Sequence, residues 1–482
     1  MRLKTSTLHK IGKPLVKYVY KNPKRNIPRV LKIAKAVTGD LFPEHTWTVP
    51  LDIITNPENT WHNYAFSFID DIDNELLSRV LLTFAIDAGY DGTYTLRTNR
   101  EKLKCNIPWV ILMDPTSACN LKCKGCWASE YGHKSQLTLD EMRRIITQSK
   151  ELGTHFFMFT GGEPLIRKKD ILTLTKENQD CIFLAFTNGT LVDDEFCEDM
   201  KKSGNLALAL SVEGTQETTD DRRGDGVYQK VMDAMALLKK HKCIFGTSVC
   251  YTSKNYKAVT SDEFYDMEIN AGAKFAWYFH YMPVGSNADT SLLLSPEQRE
   301  YVYRAIRDKR KSRGGKGIFT VDFQNDGEYV GGCIAGGRNY FHINSEGDAE
   351  PCVFIHYSDS NIREKSVLEC LRSPLFKQYY KGQPFNDNML RPCPMLENPQ
   401  ALRNIVAKTN AKSTNLTCPE SAEQLCSKCD DYAKAWAKTA HDIWNEQERF
   451  HPFTQYYRDT EEAKNSLRSQ RKDNREEIKE EV

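Results

Sequence analysis

Short apolar runs alternate with helix-like segments through the middle of the chain. There are six runs, at residues 109–113, 155–160, 182–186, 206–212, 245–251 and 275–282. Polar stretches with helical periodicity, such as residues 138–152 and 228–241, lie between them. Such repeats imply parallel strands joined by right-handed crossovers. Because six strands are too few to close an eight-stranded barrel, the pattern predicts an α/β fold with an open, partial (β/α)6 TIM-like barrel over residues 105–290.

The segment before the barrel is basic and has apolar residues at helical spacing. Residues 1–39 carry eleven Lys and Arg and no acidic side chain, whereas the rest of the chain has 55 basic and 65 acidic side chains. One helical face carries Leu8, Ile11, Leu15 and Val19. We interpret residues 1–43 as a basic amphipathic arm suited to an anionic membrane surface. A helix pair docked on the body, a nucleic-acid arm and a transit peptide are the alternatives.

Composition and periodicity divide the remaining chain. Residues 44–104 form a small helical N-terminal unit in which we find no chemistry, and residues 291–330 form a basic helical connector. Residues 331–450 are a C-terminal extension. The nearly all-charged residues 451–482 are predicted to be a frayed helix or a disordered tail.

The overall composition is that of an ordinary globular protein, with 40% apolar and 27% charged residues in a chain of 482. No run of about 18 apolar residues occurs, which argues against a membrane-spanning helix, and no secretory signal is visible. The fifteen cysteines are unevenly clustered, a pattern typical of metal binding in a reducing compartment. We therefore expect a cytoplasmic protein, peripheral on the inner face of the membrane if the arm binds lipid, and no nucleic-acid partner.

Three cysteines lie on the loop that follows the first apolar run. Cys119, Cys123 and Cys126 have the spacing Cys-x3-Cys-x2-Cys. Three thiolates can hold three corners of a cubic iron-sulfur cluster and leave the fourth iron open for another ligand. A structural zinc site would instead need four ligands, usually in paired spacings, and no second pair lies nearby. A chance grouping of thiols is the other alternative.

This spacing resembles the radical S-adenosylmethionine (SAM) superfamily, and the similarity extends over roughly Trp109 to Gly285. The resemblance implies that SAM chelates the open iron of a 4Fe-4S cluster. The reduced cluster would then cleave SAM to a 5′-deoxyadenosyl radical that abstracts a substrate hydrogen, with an electron from a flavodoxin- or ferredoxin-type reductant. The chain departs from the superfamily pattern at Gly125, where an aromatic residue is usual, and Trp127 follows the third cysteine instead.

The ends of the later strands carry the remaining motifs. Thr160-Gly161-Gly162-Glu163-Pro164 follows the second apolar run, where two glycines permit close backbone approach and the acid can accept hydrogen bonds from an ammonium group. Each motif alone would be an ordinary turn. In the superfamily the matching segment holds the SAM amino group. The resemblance assigns the SAM site to Gly161, Gly162, Glu163, Ser211, Glu213, Arg223, Ser248 and Met282.

Within that set, an arginine of Asp220-Asp221-Arg222-Arg223-Gly224 would pair with the SAM carboxylate, since a guanidinium binds carboxylates bidentately. The spacing from Asp220 favours Arg223 over Arg222. Backbone groups near Met282 would hold adenine.

A second metal site is predicted in the extension. Cys333, Gly347 and Cys352 have the spacing Cys-x13-Gly-x4-Cys, which resembles the SPASM or twitch extension with its auxiliary 4Fe-4S clusters. Cys393 is the next expected ligand, and Cys426 or Cys429 is a further ligand unless both are core thiols. We therefore predict one auxiliary cluster. The cysteines interpreted as packing residues are Cys105, Cys181, Cys197, Cys243, Cys250 and Cys370.

The substrate is less constrained than the cofactor. Relatives with such extensions commonly modify ribosomally made peptides, whereas another branch of the superfamily acts on lipids. The basic arm favours a lipid or acyl-chain substrate, and a peptide maturase is the alternative. A non-catalytic iron-sulfur binding or sensing module is a third hypothesis.

Overall fold

The computed structural model describes residues 4–38, 45–285 and 288–446. The predicted tail at residues 451–482 lies outside this part of the chain, as do residues 1–3 and 39–43 of the predicted arm. The strands are β1 Val110–Met113, β2 Phe156–Phe159, β3 Ile182–Thr187, β4 Leu206–Ser211, β5 Phe245–Tyr251, β6 Phe275–His280, β7 Phe319–Asp322, β8 Tyr340–Ile343, β9 Ala349–Glu350, β10 Tyr357–Ser358 and β11 Lys412–Ser413.

The helices fall into three groups by position along the chain. The N-terminal ones are α1 Thr5–Lys21, α2 Pro23–Thr38, α3 His45–Thr55, α4 Thr60–Asp71, α5 Asn74–Leu82 and α6 Thr93–Leu103, with a π-helical stretch at Thr83–Gly92. The next are α7 Leu139–Leu152, α8 Lys168–Glu177, α9 Asp194–Ser203, α10 Gln216–Arg223, α11 Val227–Lys240 and α12 Asp262–Ala271. The last are α13 Pro296–Lys309, α14 Gly327–Val330, α15 Val367–Leu371, α16 Pro374–Gly382, α17 Pro399–Ala407 and α18 Ala422–Glu446.

One sheet organises the molecule, with the strand order β7-β6-β5-β4-β3-β2-β1-β8-β9. The six apolar runs are strands β1 to β6, all parallel, so the predicted partial barrel is confirmed. Two further parallel strands extend it, β7 beside β6 and β8 beside β1. The two ends of this parallel array meet through side chains, because the rings of Phe323 and Tyr340 are 5.9 Å apart.

Helix α7 illustrates why the intervening segments fold as helices. Thr138 and Glu141 form a reciprocal capping box at its start, and Gly153 ends it in a left-handed conformation. Its buried side chains recur at helical spacing and face the sheet, namely Met142, Ile145, Ile146, Ser149 and Leu152.

The N-terminal helices form a layer against the amino-terminal side of the barrel. Helix α1 packs on α5, where a Cβ atom at Gly12 would lie 2.6 Å from Leu82. The His9 imidazole is 2.9 Å from the Asp87 carboxylate. Helix α1 is therefore docked on the body, and membrane binding by the exposed face of the arm stays a prediction. None of the described helices is both long and apolar enough to cross a bilayer.

The connector differs from its prediction. Only its first half is the helix α13, and residues 319–322 form strand β7. The buried residues of β7, Thr320 and Asp322, are polar, so no apolar run marks this segment. The open edge of β6 supplies the hydrogen-bonding partners that make it a strand.

Candidate active site

A cavity of about 210 Å³ lies at the carboxyl ends of the parallel strands, where barrel folds carry their reactive groups. It is lined by ten of the predicted site residues, namely Cys119, Cys123, Cys126, Gly161, Gly162, Glu163, Ser211, Arg223, Ser248 and Met282. The fold therefore brings together residues from the ends of five strands, β1, β2, β4, β5 and β6, whereas their binding roles stay predictions.

The two glycines after β2 hold the cysteine loop by backbone contact. The N–H of Gly162 donates to the Thr116 carbonyl at 2.9 Å, and that of Glu163 donates to the Ala118 carbonyl at 2.8 Å. A Cβ atom at Gly162 would lie 2.1 Å from the Ala118 oxygen, so no side chain fits there. The close approach explains why this turn has two glycines.

The Glu163 carboxylate is buried and already accepts three hydrogen bonds from the protein. Its Oε1 atom accepts from the Thr187 hydroxyl at 2.6 Å and from the Leu165 N–H at 2.9 Å. Its Oε2 atom accepts from the Asn188 N–H at 2.8 Å. Burial raises the pKa of Glu163 against the lowering effect of these donors. Since a carboxylate has about four acceptor positions, room remains for one further donor on Oε2.

Glu213 orients two arginines and is not among the residues that line the cavity. Its Oε1 atom accepts from Arg222 Nη1 at 2.6 Å and from Arg223 Nη2 at 2.5 Å. Its Oε2 atom accepts from the Cys250 N–H at 3.0 Å. The Glu213 carboxylate is thus occupied by its own chain, which differs from the predicted contact with cofactor. Arg223 Nη1 lies 3.9 Å from Cys123 Sγ, and both arginines line the cavity, so the preference for Arg223 stays a prediction.

The donor set suits a cluster more than a single ion. The sulfur atoms of Cys119, Cys123 and Cys126 do not all lie within 4.8 Å of one another, as the ligands of a single ion would. A group that compact occurs in the described chain at His155, Asp180 and Cys181. Burial raises the pKa of Cys119 to about 11 and also raises that of Cys126. Ligand binding must therefore displace protons from these thiols.

Several cavity residues escaped the sequence analysis. Alternate residues at the end of β6, Trp277, Phe279 and Tyr281, line the cavity, and the two-residue period of the strand could have identified them. Cys250, predicted to be a packing residue, also lines it. Trp127 lines it from the cysteine loop and is 6.2 Å, between ring centroids, from Phe354 of the extension.

The extension cysteines lie close to one another behind the cavity. Burial raises the pKa of Cys393 well above its usual value, and Glu397, Cys333 and Cys352 add to the effect. The Tyr340 hydroxyl is 2.8 Å from Cys352 Sγ. Ile334 and Val353, each next to one of these cysteines, line the cavity. The extension therefore contributes one wall of the candidate active site.

A shared backbone pattern links the two cysteine groups, since the N–H two residues after a cysteine donates to its sulfur. It occurs from Leu121 to Cys119 at 3.4 Å, from Phe354 to Cys352 at 3.5 Å and from Met395 to Cys393 at 3.4 Å. Burial raises the pKa of Cys126 and Cys333, and a hydrogen bond from the backbone two residues later in the chain lowers it. Hydrogen bonds to sulfur are a recurring feature of iron-sulfur ligands.

An orphaned hydroxyl also fits a cluster in the extension. The buried Tyr379 Oη atom has no hydrogen-bond partner in the described chain. Burial raises its pKa, and the next contributions come from Cys333, Cys352, Cys393 and Cys426. A sulfur-rich group held among these cysteines would give the hydroxyl an acceptor.

A buried ion network connects the two cysteine groups. His342 Nε2 is 2.9 Å from Asp114 Oδ1, at the start of the cysteine loop, and its Nδ1 atom is 2.6 Å from Glu350 Oε2 in β9. Burial by itself would lower the pKa of His342, but the two carboxylates raise it to about 10. The charged imidazole thus bridges the barrel and the extension.

Comparisons with known proteins agree with this geometry. Residues 113–260 match the family model described as the radical SAM superfamily. The AdoMet-dependent heme synthase of Methanosarcina barkeri is 26% identical over 294 residues, which cover 55% of this chain and 82% of that protein. The PqqA peptide cyclase of Granulibacter bethesdensis is 24% identical over 303 residues, or 59% of this chain and 79% of that protein.

A solved structure has a similar fold. Streptococcus suis SuiB bound to its precursor peptide SuiA superposes with a TM-score of 0.52 and 19% identity, covering 69% of this chain and 79% of that one. At this identity the likeness concerns the fold. The matched family model and the cysteine loop identify residues 113–260 as a radical SAM domain, and the protein as an enzyme that uses a 4Fe-4S cluster and SAM.

Proposed function

We propose that the protein abstracts a hydrogen atom from an uncharged, apolar part of its substrate, and that this substrate is the acyl chain of a lipid taken from an anionic membrane surface. The observation that carries the proposal is the aromatic lining of the cavity. Its aromatic members are Trp127, Phe186, Trp277, Phe279, Tyr281, Phe323, Tyr340 and Phe354.

The charged side chains among the described residues that line the cavity are Glu163, Arg222 and Arg223. Glu163 and Arg223 belong to the predicted SAM site, and Arg222 is paired with Glu213. His280 also lines it, but burial lowers its pKa to about 3, so the imidazole is neutral. A substrate carboxylate or phosphate in this cavity would therefore meet no free cation. A hydrocarbon segment fits such walls, and they exclude water from the reacting atoms.

The predicted SAM-site residues have different binding roles. Cys119, Cys123 and Cys126 would hold the cluster, Arg223 would bind the SAM carboxylate while Glu213 keeps its guanidinium in place, and the Glu163 turn would bind the amino group. Bound together, the cluster and SAM supply reductive cleavage of the sulfonium and hydrogen abstraction. A flavodoxin- or ferredoxin-type protein is the proposed electron donor.

We further infer one auxiliary 4Fe-4S cluster held by Cys333, Cys352 and Cys393, with Cys426 as the fourth ligand. The sequence offers Cys426 or Cys429 for this position, and the proposal takes Cys426. Both cysteines are buried on α18, so Cys429→Ala is a matched control for Cys426→Ala. Only Cys426→Ala should lower the iron content, from about 8 to about 4 per chain.

Helices α1 and α2 support the membrane part of the proposal. Ile11 and Ile33 are exposed to 57% and 61%, and Leu15 and Tyr18 continue the exposed row on α1. The contacts of Gly12 with Leu82 and Ile86 hold α1 on the body, while the exposed row is available to face a bilayer. Each basic residue near an anionic surface contributes about 1 kcal/mol. The protein would thus lie on the inner face of the membrane.

A peptide side chain is the second candidate. It is favoured by the similarity to the PqqA peptide cyclase and by the SuiB fold, whose structure holds a precursor peptide. An apolar side chain would suit the same aromatic wall, so the cavity alone does not separate the two substrates.

Isotope transfer distinguishes a lipid substrate from a peptide substrate directly. Anaerobically reconstituted enzyme is incubated with SAM, dithionite and phosphatidylglycerol vesicles whose acyl chains are fully deuterated, and 5′-deoxyadenosine is analysed by mass spectrometry. Deuterium in the nucleoside supports the acyl chain as hydrogen donor. Unlabelled nucleoside at the rate seen without lipid refutes it. Lipidomics of cells that express the protein then identifies the product.

Membrane binding is tested separately by co-sedimentation with phosphatidylglycerol or phosphatidylcholine vesicles. The proposal expects binding to the anionic vesicles that is lost in an Ile11→Glu/Ile33→Glu variant. A Leu81→Glu variant is the control, because Leu81 is 50% exposed on α5, outside α1 and α2. If all three proteins bind equally, or if none binds, the exposed residues of α1 and α2 do not form a membrane-binding surface.

A further inference from the structure

Tyr281 lies against the cysteine loop at the end of β6. Its side chain is almost completely buried, with 1% of the residue exposed. A Cβ atom at Gly125 would lie 2.7 Å from Cε2 of the ring and 3.3 Å from the hydroxyl oxygen. Gly125 stands between Cys123 and Cys126 and has a φ of +64°. The ring therefore covers the backbone of the segment that carries two of the predicted cluster ligands.

The Tyr281 hydroxyl has no hydrogen-bond partner within the described chain, although the backbone of Asp289 approaches it. The charged groups that influence it include Cys250 and Arg222. Arg222 Nε is likewise buried and unpartnered. Tyr281 and Arg222 both line the cavity, so two unused donors lie on the same side of the site. Since buried donors are normally paired, a bound group is expected to supply the acceptor.

We propose that Tyr281 is a positioning residue for SAM, in which the ring covers the cysteine loop and the hydroxyl donates a hydrogen bond to bound SAM. The inference rests on the SAM site described above and is independent of the substrate. SAM carries carboxylate, ribose and adenine acceptors, and its carboxylate already requires the neighbouring guanidinium groups. The ring takes the space beside the loop that Gly125 leaves open.

The hydroxyl is tested with Tyr281→Phe, which keeps the ring. SAM affinity is measured by equilibrium dialysis with the anaerobically reconstituted, oxidised enzyme, and electron paramagnetic resonance spectra of the reduced cluster are recorded with and without SAM. The Kd for SAM should rise about tenfold, while iron content and the SAM-free spectrum stay as in the wild type. An unchanged Kd would overturn the proposal. An altered SAM-free spectrum with unchanged Kd would also overturn it, because the acceptor would then be the cluster itself.

Tyr278→Phe is the matched control on the same strand. The Tyr278 hydroxyl is buried and donates to the Val259 carbonyl at 2.7 Å, and Tyr278 is not among the cavity residues. This variant loses a buried hydrogen bond without touching the SAM site, so its melting temperature should fall while its Kd for SAM stays unchanged. If both variants raise the Kd equally, the Tyr281 effect is only structural.

The ring contact is tested with a pair of variants. Gly125→Ala should lower cluster retention because its Cβ meets the Tyr281 ring, and Gly125→Ala/Tyr281→Leu should recover the iron content because the smaller side chain removes the overlap. If the double variant retains no more iron than Gly125→Ala, the left-handed backbone and not the ring contact explains the loss, and this part of the proposal fails.

Discussion

The two cysteine groups differ in how the chain brings them together. Cys119, Cys123 and Cys126 lie on one loop and are held by backbone contacts with the Gly161-Gly162 turn. Cys333, Cys352 and Cys393 come from three separate segments and depend on buried charges for their position. A local ligand set needs a single well-placed loop, whereas a dispersed set needs the whole extension to be folded first. The two groups should therefore respond differently to substitution.

A buried ion pair helps to position Cys393, one of the three cysteines that come from separate segments. Arg299 Nη1 is 2.7 Å from Glu397 Oε1, and both side chains are fully buried. Glu397 Oε2 accepts from the Cys393 N–H at 2.7 Å. The Arg299 guanidinium also lies over the Trp436 ring, 4.2 Å from its centroid. The position of Cys393 thus depends on residues from α13 and α18.

The largest expected effect comes from the ligands themselves. Replacing Cys119, Cys123 and Cys126 together by alanine should abolish 5′-deoxyadenosine formation and lower iron from about 8 to about 4 per chain. Cys393→Ala should lower iron by the same amount but retain SAM cleavage, because the triplet is intact. Iron analysis and a nucleoside assay measure both. If the triple variant still released the nucleoside, the two cysteine groups would not have separate roles, and the comparison would be wrong.

The buried ion pair gives the next effect. Arg299→Met leaves the Glu397 carboxylate buried without its partner and should cost about 3–5 kcal/mol, with loss of the auxiliary iron before the triplet iron. Arg299→Met/Glu397→Gln should recover part of the stability because no charge remains unpaired. Thermal unfolding and iron content of the holoenzyme test this. Equal loss of iron from both groups would mean that the extension does not act separately.

A clash at the glycine turn should act on the triplet instead. Gly162→Ala introduces a Cβ that meets the Ala118 carbonyl, an overpacking expected to cost about 1–3 kcal/mol and to release the triplet iron. Gly226→Ala is the control, because Gly226 has a φ of +73° but no neighbour within 4 Å. It should lose about 1 kcal/mol and keep both clusters. Full iron content in Gly162→Ala would show that the turn does not hold the loop.

The last effect concerns the bridge between the groups and emerges only as the pH is raised. The pKa of His342 is raised to about 10, above the unfolded value near 6.5. Its contribution to stability is therefore complete below about pH 6.5 and is lost as the pH rises through 10. The melting temperature of the wild type should fall over this range by more than that of His342→Gln, which has no titrating group there. Parallel curves would exclude His342 as the charged bridge.

The cysteines that the sequence assigned to packing differ from both groups. Cys243 Sγ donates to the Cys197 carbonyl at 3.6 Å, and Cys181 Sγ lies 3.8 Å from the Asp180 carboxylate. The sulfur atoms of the predicted ligands Cys119, Cys352 and Cys393 instead accept a hydrogen bond from the backbone N–H two residues later in the chain. Cys250 is the exception to the packing prediction, because the end of β5 turns it towards the cavity.

The sequence by itself determined the elements whose signal is local. The six apolar runs, the spacing of the cysteine triplet and the glycine turn each depend on a few adjacent residues, so their period or spacing identified them. Strand β7 could not be predicted in this way, because its buried residues, Thr320 and Asp322, are polar and the segment becomes a strand only where the edge of β6 offers hydrogen-bonding partners.

Only the tertiary structure decided which side chains share the cavity. Tyr281 and Phe354 are 73 residues apart in sequence and meet there because β8 pairs with β1 and carries the extension to the barrel opening. The contact of the Glu213 carboxylate with two guanidinium groups likewise emerged only from the structure. Contacts of this kind depend on how distant segments pack, and no local pattern in the chain records them.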